Sequence, residues 1–573
     1  MYLSGIEIRN FRGIRSVRLD FGETSVLVGE NDSGKTTILD AICLILNPFP
    51  ENRPITFNYH DFYLTRGPNG YEPLGTLSIR LTFRERTTDE WTYIRNNDFG
   101  LSLNDDKNEL QELTLEVMAR PVKEGQAAEG SWRIQIEGRK PGDFCDDPAI
   151  LSWIRRLNPV FRLKSGMLSS LPVKDENELS DDEQGFRFPD DSKVIREKIE
   201  KSYQNLISGT TSDGYAELHA GYRAALQYLG RASNMFFHDG PPLDEILYEI
   251  LGRKKSGEEP TGRRISLKSG SAAEKIGMLL FTTAFLQAGG LMADPSAEPI
   301  MIIEDPEANL HPMTLESVKL LIERLKWQKI ITTYSGSLLA DFPLEDIRRI
   351  VRHEGFIRQY SVKPGSLSHE EMRRLSYHVR KRISNATFAR CWLLVEGESE
   401  NWLMPYIARL CGYDLTMEGI VCVEFAQCGI MPLVKAARQL GIEWFLMSDG
   451  DAAGKSYIDT VRHLASQLGE NPDDRCLRLK ERDIEHHLFF NGYADVYREY
   501  SGIPSFQSQN MQPRRIIGTA IHRRSKPFMA IAIVEAIARD GSPGVPLDLR
   551  RVIDSVVRLA KISSVSSNFV VRS

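Results

Sequence analysis

The stretch Val26-Leu27-Val28-Gly29-Glu30-Asn31-Asp32-Ser33-Gly34-Lys35-Thr36-Thr37 decides how the first half of the chain folds. An apolar run leads into it and the apolar segment Ile38 to Leu46 follows, so a glycine-rich loop joins a strand to a helix. A P-loop needs that context, because its glycines let successive backbone N–H groups curl around phosphate oxygens at the positive end of the helix. Gly29, Asn31 and Gly34 are the expected cradle. Lys35 would reach the outer phosphates, Thr36 would hold Mg2+, and Thr37 completes the set. The competing reading is a glycine-rich surface turn, and the flanking strand and helix weigh against it. The expected cofactor is ATP with Mg2+.

A P-loop also requires a carboxylate for its metal and a residue that positions water. Ile300-Met301-Ile302-Ile303-Glu304-Asp305-Pro306-Glu307 supplies a buried strand ending in acids, the Walker B arrangement. Glu304 takes the metal-side place and Asp305 the place of the catalytic acid. ABC-type ATPases usually carry the two in the opposite order, which bears on hydrolysis more than on binding. Leu267-Lys268-Ser269-Gly270-Ser271 resembles a degenerate ABC signature loop, in which Ser269 and Gly270 would meet the γ-phosphate bound by a second protomer. Tyr334, after the strand Ile330 to Thr332, stands where such ATPases often have a switch histidine. The opening Ile6-Glu7-Ile8-Arg9-Asn10-Phe11-Arg12-Gly13 resembles the start of SMC and RecF-like heads, which places Arg12 near the nucleotide. Those heads also carry long insertions between P-loop and Walker B and sandwich ATP between two protomers.

Two further apolar strands end in acids: Trp392-Leu393-Leu394-Val395-Glu396-Gly397-Glu398-Ser399-Glu400 and Trp444-Phe445-Leu446-Met447-Ser448-Asp449-Gly450-Asp451-Ala452-Ala453-Gly454. This is the Toprim pattern. In a parallel sheet both strand ends emerge at the carboxyl edge, which gathers Glu396, Asp449 and Asp451. Glu400, one helical turn on, faces the same way. Like charges this close repel unless divalent metal neutralises them, so these four are candidate catalytic carboxylates and metal ligands. A bare Asp-x-Asp proves nothing. The pair of motifs, each on an apolar strand, carries the reading against two acidic surface turns.

The chain of 573 residues exceeds a single hydrophobic core. No uninterrupted apolar stretch reaches the roughly 18 to 20 residues that span a bilayer, so no membrane partner is expected. Seven cysteines occur without a C-x-x-C pair, which argues against a disulfide framework or structural zinc. With no signal-peptide layout at the start, a cytoplasmic location is expected. The net charge of −6 is silent on nucleic acid, since local basic surface matters more than the total. Arg373, Arg374, Arg380, Lys381 and Arg382 form one basic cluster; Arg514, Arg515, Arg523, Arg524 and Lys526 form another. Each is either a solvated helix face or a phosphate contact.

The expected fold class is α/β: an ABC/SMC-type P-loop ATPase head split by a helical insertion, then a Rossmann-like Toprim domain and a helical C-terminal part. Residues 1–144 would form the N-terminal lobe and 145–260 a compact insertion serving dimerisation, with an acidic stretch from Lys174 to Asp191. Residues 261–365 would form the C-terminal lobe, 366–388 a connector, 389–500 the Toprim domain and 501–573 the helical part.

This order of parts, with Glu304-Asp305-Pro306-Glu307, Phe388 to Glu398 and Ser525-Lys526-Pro527, resembles the overcoming lysogenization defect (OLD) family of ATP-dependent endonucleases. The resemblance implies metal-dependent cleavage or nicking of DNA by two-metal phosphodiester hydrolysis, with the ATPase as regulator. It implies that Asp483 and Glu485 bind a second ion and that Lys526 stabilises charge on the transferring phosphate. Mg2+ is the expected ion, with Mn2+ or Ca2+ as alternatives at the Toprim site. His486 and His487 read as bystanders on a helix. The implied partners are DNA, a homodimer or higher homo-oligomer and an accessory protein, and the implied roles phage defence or DNA repair. The competing readings are a RecF/SMC-like DNA-binding repair ATPase without nuclease action, a Toprim topoisomerase or primase, and a transporter's ATPase subunit.

Overall fold

The computed structural model describes residues 1–46, 54–67, 70–87, 91, 110–136, 144–163, 298–308, 327–378, 384–467, 469–504, 507 and 511–565. They belong to two units, Met1–Tyr334 with Glu354–Gln359 and Ser335–His353 with Tyr360–Ser573. The signature-like loop with Ser269 and Gly270, the acidic stretch, most of the expected insertion and Arg380, Lys381 and Arg382 lie outside the described residues.

The main sheet of the first unit, beside which lie two small two-stranded pairs, contains two strand arrays. One is antiparallel and starts from β1 (Tyr2–Phe11) and β2 (Ile14–Asp20). β3 (Thr24–Val28) belongs to the second array. The antiparallel array continues through β4 (Leu77–Arg84), β5 (Glu112–Ala119) and β6 (Ser131–Ile136), in the order β6-β5-β4-β1-β2. Alternation dictates its register: Leu77, Ile79, Leu81 and Phe83 are all buried, while Ser78, Arg80 and Thr82 take the other face.

The second array is parallel and uses β3 with β7 (Val160–Leu163), β8 (Ile300–Glu304) and β9 (Gln328–Thr332), in the order β3-β9-β8-β7. Its strands are near-continuous apolar runs, and Ile300, Met301, Ile302 and Ile303 are all buried, as a sheet covered on both faces requires. The buried Gln328 uses its side-chain amide to bond Leu3, accepting from its N–H at 2.9 Å and donating to its carbonyl at 2.6 Å. β10 (Phe356–Tyr360) lies parallel to β2. α1 (Lys35–Leu46) follows the P-loop and buries Ile38, Leu39, Ile42 and Ile45. α2 (Pro148–Leu157) starts with Pro148 after Asp147, whose carboxylate accepts from the Ala149 N–H at 2.8 Å. Arg155 on α2 donates to the Ile45 carbonyl at 3.0 Å, which ties α2 to α1. The head sheet therefore runs on through Leu163, past residue 144 where the sequence reading begins the insertion. β7 is too short to show a period of its own.

The second unit is built on four parallel strands, β11 (Cys391–Val395), β12 (Ile420–Glu424), β13 (Glu443–Ser448) and β14 (Cys476–Arg478), in the order β12-β11-β13-β14. Its helices include α3 (His369–His378), α4 (Glu398–Leu410), α5 (Ile430–Gln439), α6 (Ala452–Gln467), α7 (Ile484–Leu488), α8 (Ala494–Ser501), α9 (Pro513–Arg524), α10 (Lys526–Ala538) and α11 (Leu547–Val565). Ile533 of α10 and Val552 and Val556 of α11 share one core with Leu393, Val395 and Phe445. The C-terminal helices thus complete the Toprim core, and the sequence-drawn boundary at residue 500 runs through it. The segment read as a connector holds α3, where Arg373 and Arg374 pair with Glu370 as a solvated helix face. No described helix is long and apolar enough to cross a membrane.

Candidate functional site

In the head, Val28 ends β3 in the core and the chain turns through residues 29–34 into α1. Gly34 has φ of 96°, and a Cβ there would stand 2.6 Å from Ile357 Cδ1, so only glycine makes this turn. Lys35 donates to the carbonyl oxygens of Gly29 at 2.8 Å and Glu30 at 3.0 Å and to Ser33 Oγ at 3.3 Å. Its ammonium lies 4.4 Å from the centre of the Tyr334 ring. Burial brings its pKa down to about 8 against the charges of Asp305, Asp32 and Glu30. Thr36 is exposed and Thr37 half-buried on the first turn of α1, and Asn31 is exposed on the loop.

The two Walker B acids part company here. Successive residues leaving a strand point to opposite sides. Asp305, at φ 45°, accepts from Thr332 Oγ1 at 2.9 Å and is the acid whose charge reaches Lys35; burial raises its pKa. Glu304 is buried and accepts from Arg162 Nε at 2.7 Å. Arg162 continues to Asp40 at 2.6 Å, Asp40 accepts from Arg12 at 2.5 Å, and Arg12 reaches Asp61 at 2.9 Å. This ion-pair chain brings Arg12 to Asp40 on the helix that follows the P-loop and commits Glu304 to a guanidinium rather than to the P-loop side. Glu307 Oε1 accepts from the Thr333 hydroxyl at 2.8 Å and the Tyr334 N–H at 2.7 Å, which fixes the loop that carries Tyr334.

In the second unit, Glu396 follows β11 and Asp449 follows β13, and these strands are direct neighbours. The Glu396 carboxylate accepts the Asp449 backbone N–H. Glu400 is buried on the first turn of α4. Asp451 accepts from the Gly454 N–H at 2.8 Å. A Cβ on Gly454 would lie 2.0 Å from the Asp449 carbonyl oxygen, so glycine alone lets α6 start this close to β13. Asp483 caps α7, accepting from the His486 N–H at 2.8 Å, and its carboxylate also meets His486 Nδ1 at 2.6 Å. Glu485 Oε1 accepts from Ser399 Oγ at 2.7 Å and stands 3.8 Å from Lys526 Nζ.

The structure therefore brings together Glu396, Glu400, Asp449, Asp451, Asp483, Glu485 and Lys526. Burial, then the charges of Glu400, Glu396, Asp483 and Glu485, push the Asp449 carboxyl up to about 8. Burial, with Glu485 and Glu396, pushes Glu400 up to about 7 against the pull of Lys526. Burial and Asp451 raise Glu396. Glu396 Oε2 and Asp449 Oδ1 are buried without any hydrogen-bond partner. Among the described residues, no group of three or more His, Cys, Asp or Glu side chains is placed so that it could hold a metal ion as it stands. What the site offers is a set of hard carboxylate oxygens, two of them buried and unpartnered, and that is the donor chemistry a divalent cation prefers.

Several participants escaped the sequence reading. His486 is bonded to Asp483, and His487, buried, is bonded through Nδ1 to Glu481. Neither is a bystander; each holds a carboxylate. Ser399 had a usable signal, its fixed place inside the Glu-Gly-Glu-Ser-Glu run. Arg162 and Asp40 had none, because nothing local marks residues whose partners lie over a hundred positions away.

The comparisons with known proteins place the chain in a family. A family model described as "Protein of unknown function (DUF2813)" matches residues 1–386, and one described as "Overcoming lysogenization defect protein-like, TOPRIM domain" matches residues 387–451. The chain is 33% identical over 575 residues to "Uncharacterized protein YbjD" of Escherichia coli (strain K12), covering 98% of this chain and 99% of that one. It is 24% identical over 504 residues to "Endonuclease GajA" of Bacillus cereus (strain VD045), covering 84% and 80%. The solved C-terminal region of the Burkholderia pseudomallei OLD protein aligns at 18% identity and a TM-score of 0.26, over 30% of this chain and 99% of that one. With an ATPase-like P-loop head followed by this Toprim domain, the chain belongs to the OLD family, and within it to the group of YbjD.

Proposed function

We propose that this protein is a divalent-metal-dependent DNA endonuclease or nickase, hydrolysing phosphodiesters at the Toprim carboxylates under the control of its nucleotide-binding head. The observation that carries the reading is the uncompensated negative charge at the site, with Glu396 Oε2 and Asp449 Oδ1 buried and unpartnered. The similarity to a protein named an endonuclease supports it. Divalent cations, Mg2+ or Mn2+, would neutralise the cluster and polarise the scissile phosphate.

The chain's own residues have separable tasks. Glu396, Asp449 and Asp451 would supply oxygens from the two strand ends, Glu400 from the first turn of α4, and Asp483 and Glu485 from the start of α7. Ser399 and His486 orient the last two by the hydrogen bonds described. Lys526, beside Glu485, offers a positive charge to the transferring phosphate. In the head, Lys35, Thr36 and the loop amides would take ATP with Mg2+. Asp305 serves that ion, since it faces Lys35 while Glu304 is held by Arg162. DNA and a second copy of the chain are the partners this reading requires, with Ser269 and Gly270 completing the partner's nucleotide site, in a cytoplasmic role such as phage defence or DNA repair.

Incubating supercoiled plasmid with the protein and Mg2+ or Mn2+ tests the reading. Nicked or linear product is expected from the wild type and not from Glu396→Ala or in EDTA. Equal cleavage by both proteins overturns it. A titration with ATP in the same assay reads out control by the head as a change in cleavage.

A further inference from the structure

α9 and α10 meet at Ser525, a non-glycine residue with φ of 81°, and the three side chains gathered at this corner have no part in the phosphodiester chemistry. Tyr500, near the end of α8, and Phe528, in the first turn of α10, pack edge to face with centroids 5.2 Å apart. The Arg524 guanidinium lies 5.7 Å from the Tyr500 ring centre and 5.4 Å from that of Phe528. Arg524 is exposed, Phe528 is 38% exposed and Tyr500 is half-buried, so the cluster lies at the surface with its guanidinium over both rings. Among the described residues, Arg524 has no carboxylate partner. Its neighbour Arg523 behaves differently, turning inward to bond the Ser501 carbonyl at 3.0 Å.

The electrostatic setting favours an anion. α9 carries Arg514, Arg515, Arg523 and Arg524 and no acid. Lys526 lies between Arg524 and Phe528 in the chain and faces Glu485 of the carboxylate site. Aromatic rings and an arginine stack on any nucleobase regardless of sequence, provided the base is free of a duplex stack.

We propose that Arg524, Tyr500 and Phe528 form a stacking seat for an unpaired nucleobase, so that the preferred substrate is single-stranded DNA or DNA with an unpaired nucleotide beside the scissile phosphate. A base seated there delivers its neighbouring phosphate to Lys526. The inference rests on the endonuclease reading for its purpose but not for its measurement. It also gives the second basic cluster of the sequence a division of labour: Arg523 secures the corner and Arg524 meets the ligand.

The test measures binding of the full chain to fluorescent oligothymidine and to a blunt duplex of equal length, in EDTA so that nothing is cut. Phe528→Leu keeps an apolar side chain without a ring, Arg524→Gln removes the guanidinium, and Phe528→Trp restores a stacking face. The first two are expected to weaken oligothymidine binding about tenfold each, leave duplex binding unchanged and unfold at the wild-type temperature, while Phe528→Trp binds like the wild type. Oligothymidine binding that is absent in the wild type, unaffected by the variants, or lost in parallel with duplex binding overturns the seat. Plasmid cleavage by the wild type, run alongside, separates the two claims. Cleavage without the stacking effect overturns only the seat, and the stacking effect without cleavage overturns only the nuclease reading.

Discussion

The P-loop site and the Toprim site grow from the same device, an apolar parallel strand whose carboxyl end releases charged residues, yet they treat those charges in opposite ways. Around the P-loop helix the charges alternate in sign, Asp61–Arg12–Asp40–Arg162–Glu304, and Lys35 is satisfied by loop carbonyls and the Tyr334 ring. At the Toprim edge six carboxylates gather with one lysine among them, beside Glu485, and the crowding and burial raise the pKa values of Glu396, Glu400 and Asp449. A network that balances itself can stand without its ligand and respond to it. A network in deficit depends on a cation to finish it. The contrast supports the proposed function, in which the head controls and the Toprim domain cuts.

The sharpest way to break this contrast is Asp449→Asn. With Asp449 up at about 8 and Glu400 at about 7, the folded protein keeps protons that the unfolded chain has released, since free carboxyls titrate near about 4. The metal-free protein therefore loses stability as pH rises from about 4 to about 8. Asp449→Asn should abolish cleavage while raising the melting temperature at pH 8 in EDTA, a gain that shrinks toward pH 5 and that Mg2+ erases by stabilising the wild type alone. A variant less stable than the wild type at pH 8 would show that the deficit is not real.

Arg162→Ala tests the balanced side. Its side chain is 12% exposed and that of Glu304 8%, so removing the guanidinium strands a buried carboxylate. The expected loss is about 3–5 kcal/mol in denaturant unfolding, with much of it recovered in the double variant with Glu304→Gln. No recovery would mean that Arg162 acts through packing and not through charge. The smallest effect is expected at Tyr334. Its ring holds Lys35 by a cation–π contact of about 0.5–1 kcal/mol, so Tyr334→Ala should free the lysine and tighten binding of a fluorescent ATP analogue about two- to fivefold. Weaker binding would show that Tyr334 touches the nucleotide itself.

Much of both sites was legible because chemistry that needs strand ends leaves local marks. The apolar runs before Gly29, Glu304, Glu396 and Asp449 each end where a strand does, within a residue. Most of what was not legible depends on contacts between distant segments. Nothing near Glu304, read as the metal-side acid, shows that Arg162 stands beside it. The tail looked separable because α10 is apolar on nearly every face, a pattern that says buried but not against what; the answer is the Toprim core. The histidines of α7 looked idle because their carboxylate partners, Glu481 and Asp483, sit just before the helix in the cap region.

The pairing of β3 with β9 has a consequence for how the protein is made. β3 carries the P-loop, but the strand beside it, which matches Thr24 to Leu27 with Lys329 to Thr332, leaves the ribosome about 300 residues later, roughly 15 to 60 seconds at ordinary elongation rates. Until then Val26, Leu27 and Val28 have a bare edge and an uncovered face. Synthesis speed and chaperone supply should therefore govern the yield of active protein more than the stability of the finished fold does.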